Sequence, residues 1–465
     1  MRLRTILCTL VAGLVLVPSG GSASRMWLGF QDDSNYRWAS DRAQEIARSS
    51  QAGATILRTT IYWDQTAITK PANPRDSFDP AYNFDDVDDF VRTTQANDLE
   101  VLLTIWGTPR WANGGQGRNV APTKASDLAD FAYAVASRYS GRNPGYPYVR
   151  FYSIWNEPNL QQFLKPQFRN GRSVSPHTYA LLARAGYAAI KSANPDALVA
   201  IGETSPRGHD HPTKKVQDSH SPGRFAELLS KQRPRLRFDA WAHHPYVPYH
   251  EAPLVKMRWP NVPLSNMNRF ESSLDTWFGR KNIPVWVTEY GFQTRPPNPQ
   301  GETFAKQAAY LKQAVNYLRK DPRVSMFIWF VFQDGSTSTW KSGLVKANGT
   351  AKPALATFSS LAPSLNAQNE ILTVKGNVPS PLIRFYARPI ANHSNPGDVI
   401  GLTYRVYEGS RFIYVSQTAT QLAVDATASF RANFTPKKGH TYVVRFTAED
   451  IHGDTVSPVI TLVAR

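Results

Sequence analysis

Eight short apolar runs recur between residues 26 and 362, and they constrain the fold more than any other feature. They are Trp27–Asp33, Ile56–Trp63, Glu100–Pro109, Val149–Asn159, Leu198–Thr204, Phe238–Tyr246, Pro284–Phe292 and Met326–Asp334. Each is rich in aromatic, Val, Ile and Leu residues and is bounded by turn-forming Gly, Pro, Asp or Asn, the pattern of a strand buried on both faces. Amphipathic stretches separate them, among them Asp41–Gln51, Phe84–Gln95, Ser126–Tyr139, Pro176–Ser192 and Glu302–Lys320. Ser175-Pro176 reads as an N-cap followed by proline at the first helical position. A strand roughly every 30–50 residues, alternating with helices, predicts a (β/α)8 TIM barrel over residues 25–362. A doubly wound sheet would carry a glycine-rich phosphate turn after its first strand. Here that strand ends in Gln31-Asp32-Asp33-Ser34.

Past Pro363 the pattern changes. Residues 363–369 read as a linker. From 370 to 465 short alternating segments follow one another without helical period: Ile371–Lys375, Leu382–Ala387, Gly401–Tyr407, Phe412–Gln417, Tyr442–Ala448 and Val459–Val463. Their length and spacing predict a small immunoglobulin-like or fibronectin-like β-sandwich. Few aromatics cluster in its expected loops, which favours a structural role over glycan binding.

The amino terminus has its own composition. Arg2 and Arg4 precede an apolar run from Thr5 to Val17, then Pro18 and a small-residue exit ending at Ser24. That is the three-part pattern of a secretory signal peptide at 1–24, and the apolar run is shorter than the ~20 residues a membrane span needs. The one cysteine of the chain, Cys8, lies in this run, which rules out an intramolecular disulfide and argues against cysteine-ligated zinc or a cysteine nucleophile. The expected product is secreted, extracellular or associated with the cell wall, monomeric, and without integral membrane association. Formal charge is +17, from 53 Lys+Arg against 36 Asp+Glu. The densest basic run, Lys231–Arg237, has no recognition motif around it and reads as a solvated face, so no nucleic-acid partner is expected.

In such a barrel the reacting groups project from the carboxyl ends of the strands. Strand four ends in Trp155-Asn156-Glu157-Pro158-Asn159 and strand seven in Thr288-Glu289-Tyr290-Gly291. Simple alternation places Ser153, Trp155 and Glu157 on one face, and Val285, Val287 and Glu289 likewise. Two carboxylates facing each other across a barrel mouth are what glycosidic cleavage requires: one protonates the leaving oxygen while the other attacks or steadies the anomeric carbon.

With Asn156-Glu157-Pro158 and Glu289 at those two strand ends, the chain resembles a clan A retaining glycoside hydrolase. The resemblance implies Glu157 as acid/base, Glu289 as nucleophile and Asn156 as donor to the sugar 2-hydroxyl. It further implies that Arg58 in Ile56-Leu57-Arg58-Thr59 holds the nucleophile as a carboxylate. His244-Pro245-Tyr246 is similar to the clan's His-x-Tyr pair, with the tyrosine hydroxyl contacting the nucleophile and His243 facing the other way. Trp329 matches the sugar-platform tryptophan of strand eight, and Trp106 and Trp111 extend the platform. Family 5 usually has a histidine near the end of strand three. Thr104–Pro109 has none, so the pattern is closest to family 39, with a family 5 cellulase-like enzyme second.

His209-Asp210-His211 has the spacing of a metal pair, yet it falls in the long loop after strand five and reads as a polar rim. No metal and no cofactor is expected. The function expected from these residues is a retaining β-glycoside hydrolase acting on a β-linked carbohydrate, endo-acting because tryptophans stand at several strand ends. Exo action, transglycosylation and non-catalytic glycan binding are the alternatives.

Overall fold

Eight parallel strands close into a barrel in the computed structural model, each a run of side chains buried on both faces. The structure describes residues 26–361 apart from 98, 144, 145 and 147, and then 382–386, 399–408, 411–418, 427–431, 435–450, 455–456 and 459–463. The expected signal segment at 1–24, with Cys8, the expected linker at 363–369 and the expected strand Ile371–Lys375 lie outside the described residues.

The barrel strands are β1 (Trp27–Gln31), β2 (Ile56–Tyr62), β3 (Glu100–Trp106), β4 (Phe151–Ile154), β5 (Leu198–Thr204), β6 (Ala240–His243), β7 (Val285–Tyr290) and β8 (Val324–Phe330). They pair in sequence order, and β8 closes on β1. Among the described residues, eight helices of nine or more residues accompany them: α1 (Arg42–Gln51), α2 (Asp85–Ala96), α3 (Ala125–Arg138), α4 (Ser175–Ala193), α5 (Pro222–Ser230), α6 (Met267–Phe278), α7 (Phe304–Leu318) and α8 (Pro353–Leu361).

Alternation sorts the strand side chains into two cores. Trp27, Ile56, Leu102, Phe151, Ala200, Trp286, Met326 and Ile328 point inward and fill the barrel, with Trp27 and Trp286 each meeting Phe151 edge-on at 5.5 Å. Leu57, Val101, Tyr152, Val199, Val287 and Phe327 point outward and pack against the helices. The inner layer is solid, so the only polar space the barrel axis offers is at its ends.

α4 begins one residue earlier than expected. Val174 precedes its first turn, and the Ser175 hydroxyl donates to Gln167 at 2.8 Å instead of capping the helix. The basic run after α5 is held locally: Lys231 pairs with Glu227, and Arg233 donates to the Ser230 carbonyl at 3.1 Å.

Beyond the barrel, β9 (Leu382–Tyr386) pairs antiparallel with β12 (Thr427–Arg431). A second antiparallel sheet comprises β10 (Val399–Glu408), β11 (Arg411–Thr418), β13 (Thr441–Asp450), β14 (Thr455–Val456) and β15 (Val459–Val463). The buried Arg405 of β10 reaches Glu100 at 3.2 Å, and the Tyr407 hydroxyl donates to the Gln95 carbonyl at 3.3 Å. Glu100 opens β3, so this sheet touches the amino-terminal end of the barrel, opposite the mouth.

Candidate active site

One guanidinium organises the floor of the mouth. Arg58, on the inward face of β2, is fully buried. Its Nε donates to Thr104 at 2.9 Å, Nη1 to Glu289 at 2.6 Å and to Gln31, and Nη2 to Asn156 at 3.0 Å and Glu203 at 3.3 Å. Arginine is donor-only, so Asn156 must turn its carbonyl oxygen toward it, which leaves the amide NH2 to offer a ligand.

Glu157 and Glu289 flank one imidazole. His244 Nδ1 lies 3.0 Å from Glu157 Oε1 and 3.7 Å from Glu289 Oε2. Sharing one nitrogen keeps those two oxygens within about 7 Å of each other, which is compatible with the retaining separation of about 5–5.5 Å between carboxyl groups. The Tyr246 hydroxyl donates to Glu289 at 3.3 Å. Each glutamate side chain is 13% exposed, whereas Arg58 and His244 are at 0%, so only the two carboxylates reach the open space.

Neither glutamate arrives there by simple alternation. β4 stops at Ile154, Trp155 leaves the pleat with φ 73°, and its ring turns into the helix-side core, while Glu157 follows at φ 38°. On β7 the register against β8 slips between Val287 and Tyr290. This bulge lets both Thr288 and Glu289 serve the mouth, whereas Val285 and Val287 face the helices.

The sequence reading missed Glu203. Alternation from the inward Ala200 would aim it outward, but β5 carries an extra residue opposite β6 between Ile201 and Thr204. Gly202 takes φ +102° there, and Glu203 swings inside. Its Oε2 accepts from Thr288 at 2.6 Å and lies 2.7 Å from His244 Nε2. Its backbone carbonyl accepts from the Glu157 amide at 2.9 Å. A glycine two residues before the end of a buried strand was the available signal. A Cβ on Gly202 would stand 2.6 Å from Trp241 and 2.8 Å from the Ala242 carbonyl. Gly202→Ala is therefore expected to destabilise the protein by about 2–3 kcal/mol through strain and overpacking. Chemical denaturation would measure this, and an unchanged midpoint would show that the bulge tolerates a side chain.

Burial and charge tune these groups in opposite directions. Burial would raise the Glu203 carboxyl, but Arg58, then His244, hold it down at about 2. Burial works against charge on His244, yet Glu289, Glu157 and Glu203 push its pKa up to about 10. Glu157 is raised, chiefly by burial. His243, facing the other way as expected, bonds Thr204 and the Val262 carbonyl, and burial lowers it to about 3.

Two cavities open beside this cluster. One of about 470 Å³ is lined by Glu157, Glu289, Phe163, Arg207, Tyr246 and Trp340, among others. A second of about 170 Å³ is lined by Gln31, Asp33, Trp38 and Tyr62. Phe330 and Trp340 belong to both.

The expected platform is corrected on this point. Trp329 points outward with Phe327, is fully buried, and donates its indole N–H to the Ser342 carbonyl at 2.8 Å. Phe330, one residue on, holds the inward position of Met326 and Ile328. Trp106 is also covered, with Arg118 4.9 Å above its ring and Phe163 against its edge. Trp111 packs edge-on against Trp63 and donates to the Ala67 carbonyl. Trp340 is the half-buried indole at the mouth, its ring 5.8 Å from Tyr246.

The His209-Asp210-His211 run is a structural loop. The Asp210 carboxylate accepts from the Ser221 amide and hydroxyl at the start of α5, at 2.8 and 2.6 Å. Among the described residues no group of three or more His, Cys, Asp or Glu could hold a metal ion, and no helix is long and apolar enough to cross a membrane.

Residues 22–335 match the model of the cellulase family, glycosyl hydrolase family 5. The chain belongs to that family. It is a glycosidase, homologous to the retaining glycoside hydrolases of clan A, and the missing strand-three histidine does not remove it from family 5. No curated protein matches it. Among solved structures it is similar to a family 39 glycoside hydrolase from Bacteroides cellulosilyticus WH2, with 17% identity, TM-score 0.51, and 89% of this chain and 81% of that one covered. A glucosidase from Croceicoccus marinus shares 12% identity at TM-score 0.54, covering 92% of this chain and 96% of its own. A monomeric β-xylosidase from Caulobacter crescentus CB15 shares 14% at 0.52, covering 92% and 98%. At these identities the shared property is the fold. Family 5 and family 39, the two families named from the strand-end motifs, both recur here.

Proposed function

We propose that this family 5 chain is a secreted, monomeric, retaining β-glycoside hydrolase that cuts within a β-linked polysaccharide by double displacement. The observation that carries this reading is the placement of Glu157 and Glu289 together at His244 Nδ1, with unequal surroundings. Glu289 is ion-paired to Arg58 and accepts from Tyr246, which suits a nucleophile. Glu157 has no guanidinium partner and its pKa is raised by burial, which suits a proton donor.

In the first step Glu289 attacks C1 while Glu157 gives its proton to the departing oxygen. In the second, Glu157 takes a proton from water, which attacks C1 and frees Glu289. Asn156 donates from its free NH2 to the 2-hydroxyl of the sugar at the scissile bond. Endo action is supported by the two cavities that meet at Phe330 and Trp340, room for sugar on both sides of one aromatic wall. The sheets after residue 382 form an immunoglobulin-like or fibronectin-like sandwich with a structural role, since their described contacts are to the end of the barrel away from the mouth. The leader at 1–24 directs export.

Product lengths from a panel of plant and microbial β-linked polysaccharides test this reading. A ladder of oligosaccharides early in the digest is expected; single sugars alone would overturn endo action. On the polymer that is cut, Trp340→Ala is expected to raise KM roughly tenfold, about 1.4 kcal/mol of binding, with kcat little changed. An unaltered KM would remove Trp340 from the sugar site.

A further inference from the structure

The charged groups under the catalytic pair add up in a way that assigns a role to Glu203. Five ionisable side chains share this space: Arg58, His244, Glu203, Glu157 and Glu289. The first three are at 0% exposure. With no exposed surface, their charges are offset chiefly by one another. Arg58 and a doubly protonated His244 supply two positive charges. Glu203 and Glu289 supply two negative ones, provided Glu157 carries its proton.

We propose that Glu203 is a positioning residue: its fixed negative charge is the counter-ion of a doubly protonated His244, and it offsets the pull that this imidazolium would otherwise exert on the proton of Glu157. The inference rests on the assignment of Glu157 as the acid. Geometry supports it from both ends of the imidazole. Nε2 is 2.7 Å from Glu203 Oε2, and Nδ1 is 3.0 Å from Glu157 Oε1. Glu203 is in turn held by Thr288 and Arg58. The other titratable side chains at hand are Asp33, a buried carboxyl whose charge is felt by Arg58 and is offset by Arg37 as well, and Tyr246, His243 and Tyr179. The last sits behind the bulge, its hydroxyl accepting from the Gly202 amide at 2.8 Å. Removing Glu203 would leave Arg58 and the imidazolium facing Glu289 alone, and the surplus positive charge would drive a proton off the Glu157–His244 pair.

The same count holds through the first chemical step. The C1–oxygen bond breaks, the bond from Glu289 to C1 forms, and the Glu157 proton leaves on the aglycone. Glu289 loses its negative charge to the ester as Glu157 gains one. The sum stays at zero, and the charge moves across His244 Nδ1, which lies between the two carboxylates. No buried group needs to change its protonation state during glycosylation except the acid itself.

The test is a titration of the full chain by NMR, with ¹⁵N-labelled histidine rings and ¹³C-labelled glutamate carboxyls. His244→Asn and Glu157→Gln identify the signals. In the wild type the His244 ring is expected to remain doubly protonated beyond pH 9. In Glu203→Gln the Glu157–His244 pair should release its first proton about one pH unit lower or more. A wild-type His244 titrating near the ordinary value of about 6.5 would overturn the proposal without any variant of Glu203. Identical titrations in the wild type and Glu203→Gln would overturn it equally. The readout needs no substrate, so it fails or succeeds separately from the glycosidase assignment, which turnover by Glu289→Gln would refute.

Discussion

Glu289→Gln is expected to lower kcat/KM on the cleaved polysaccharide by about 10⁴-fold or more, with the fold and melting temperature kept. The amide has the carboxylate's shape and its one oxygen can still accept from Arg58, while its NH2 takes the place of the oxygen that accepts from Tyr246, but it cannot form the glycosyl ester. Glu157→Gln should behave differently. It should lose activity most on substrates with poor leaving groups, and added azide should restore turnover by attacking the glycosyl-enzyme without base assistance. The pair of profiles is the measurement. Glu289→Gln working within tenfold of the wild type would take the nucleophile's role from it, and azide rescue of Glu289→Gln instead of Glu157→Gln would reverse the two assignments.

Arg58→Met is expected to cost about 3–5 kcal/mol of stability, because a buried charge cluster loses the cation that satisfies it. The guanidinium donates to six acceptors, Gln31, Thr104, Asn156, Glu203, the Thr288 carbonyl and Glu289. Methionine fills much of the volume but leaves Glu203 and Glu289 side by side without it. Chemical denaturation of wild type and variant at pH 7 measures the difference, and kinetics on surviving protein should show kcat reduced along with it. A variant that melts with the wild type would mean that Arg58 is replaceable in the barrel floor, and its place as the hub of the site would be lost.

Sequence pattern carried the barrel because its cause is local and repeated. A strand covered on both faces must be a short apolar run, and the helix after it must show one apolar stripe, so eight repeats of that pair are visible without coordinates. Leu198–Thr204 was delimited to the residue and the other seven strands to within a few residues. The strand ends carrying Glu157 and Glu289 were legible because each is a charge closing an apolar run, and Arg58, Asn156, His244 and Tyr246 through the motifs by which the chain resembles clan A.

What could not be read was the facing of side chains where strands stop being regular. The bulge at Gly202 turns Glu203 inward, the turn at Trp155 sends its ring to the outer core, and the slip on β7 brings Glu289 to the mouth. One residue of slip reverses every side chain beyond it, and nothing in a list of residues states where a slip occurs unless a glycine hints at it. The same phase separates Trp329, an outer-core tryptophan, from Phe330, which faces the site. Trp340 comes from a loop, where no period exists to place it. Composition and periodicity therefore determined the barrel and which two strand ends carry the carboxylates. The inward turn of Glu203 and the aromatic wall of the site were decided by strand register, a property of neighbouring strands together and of neither alone.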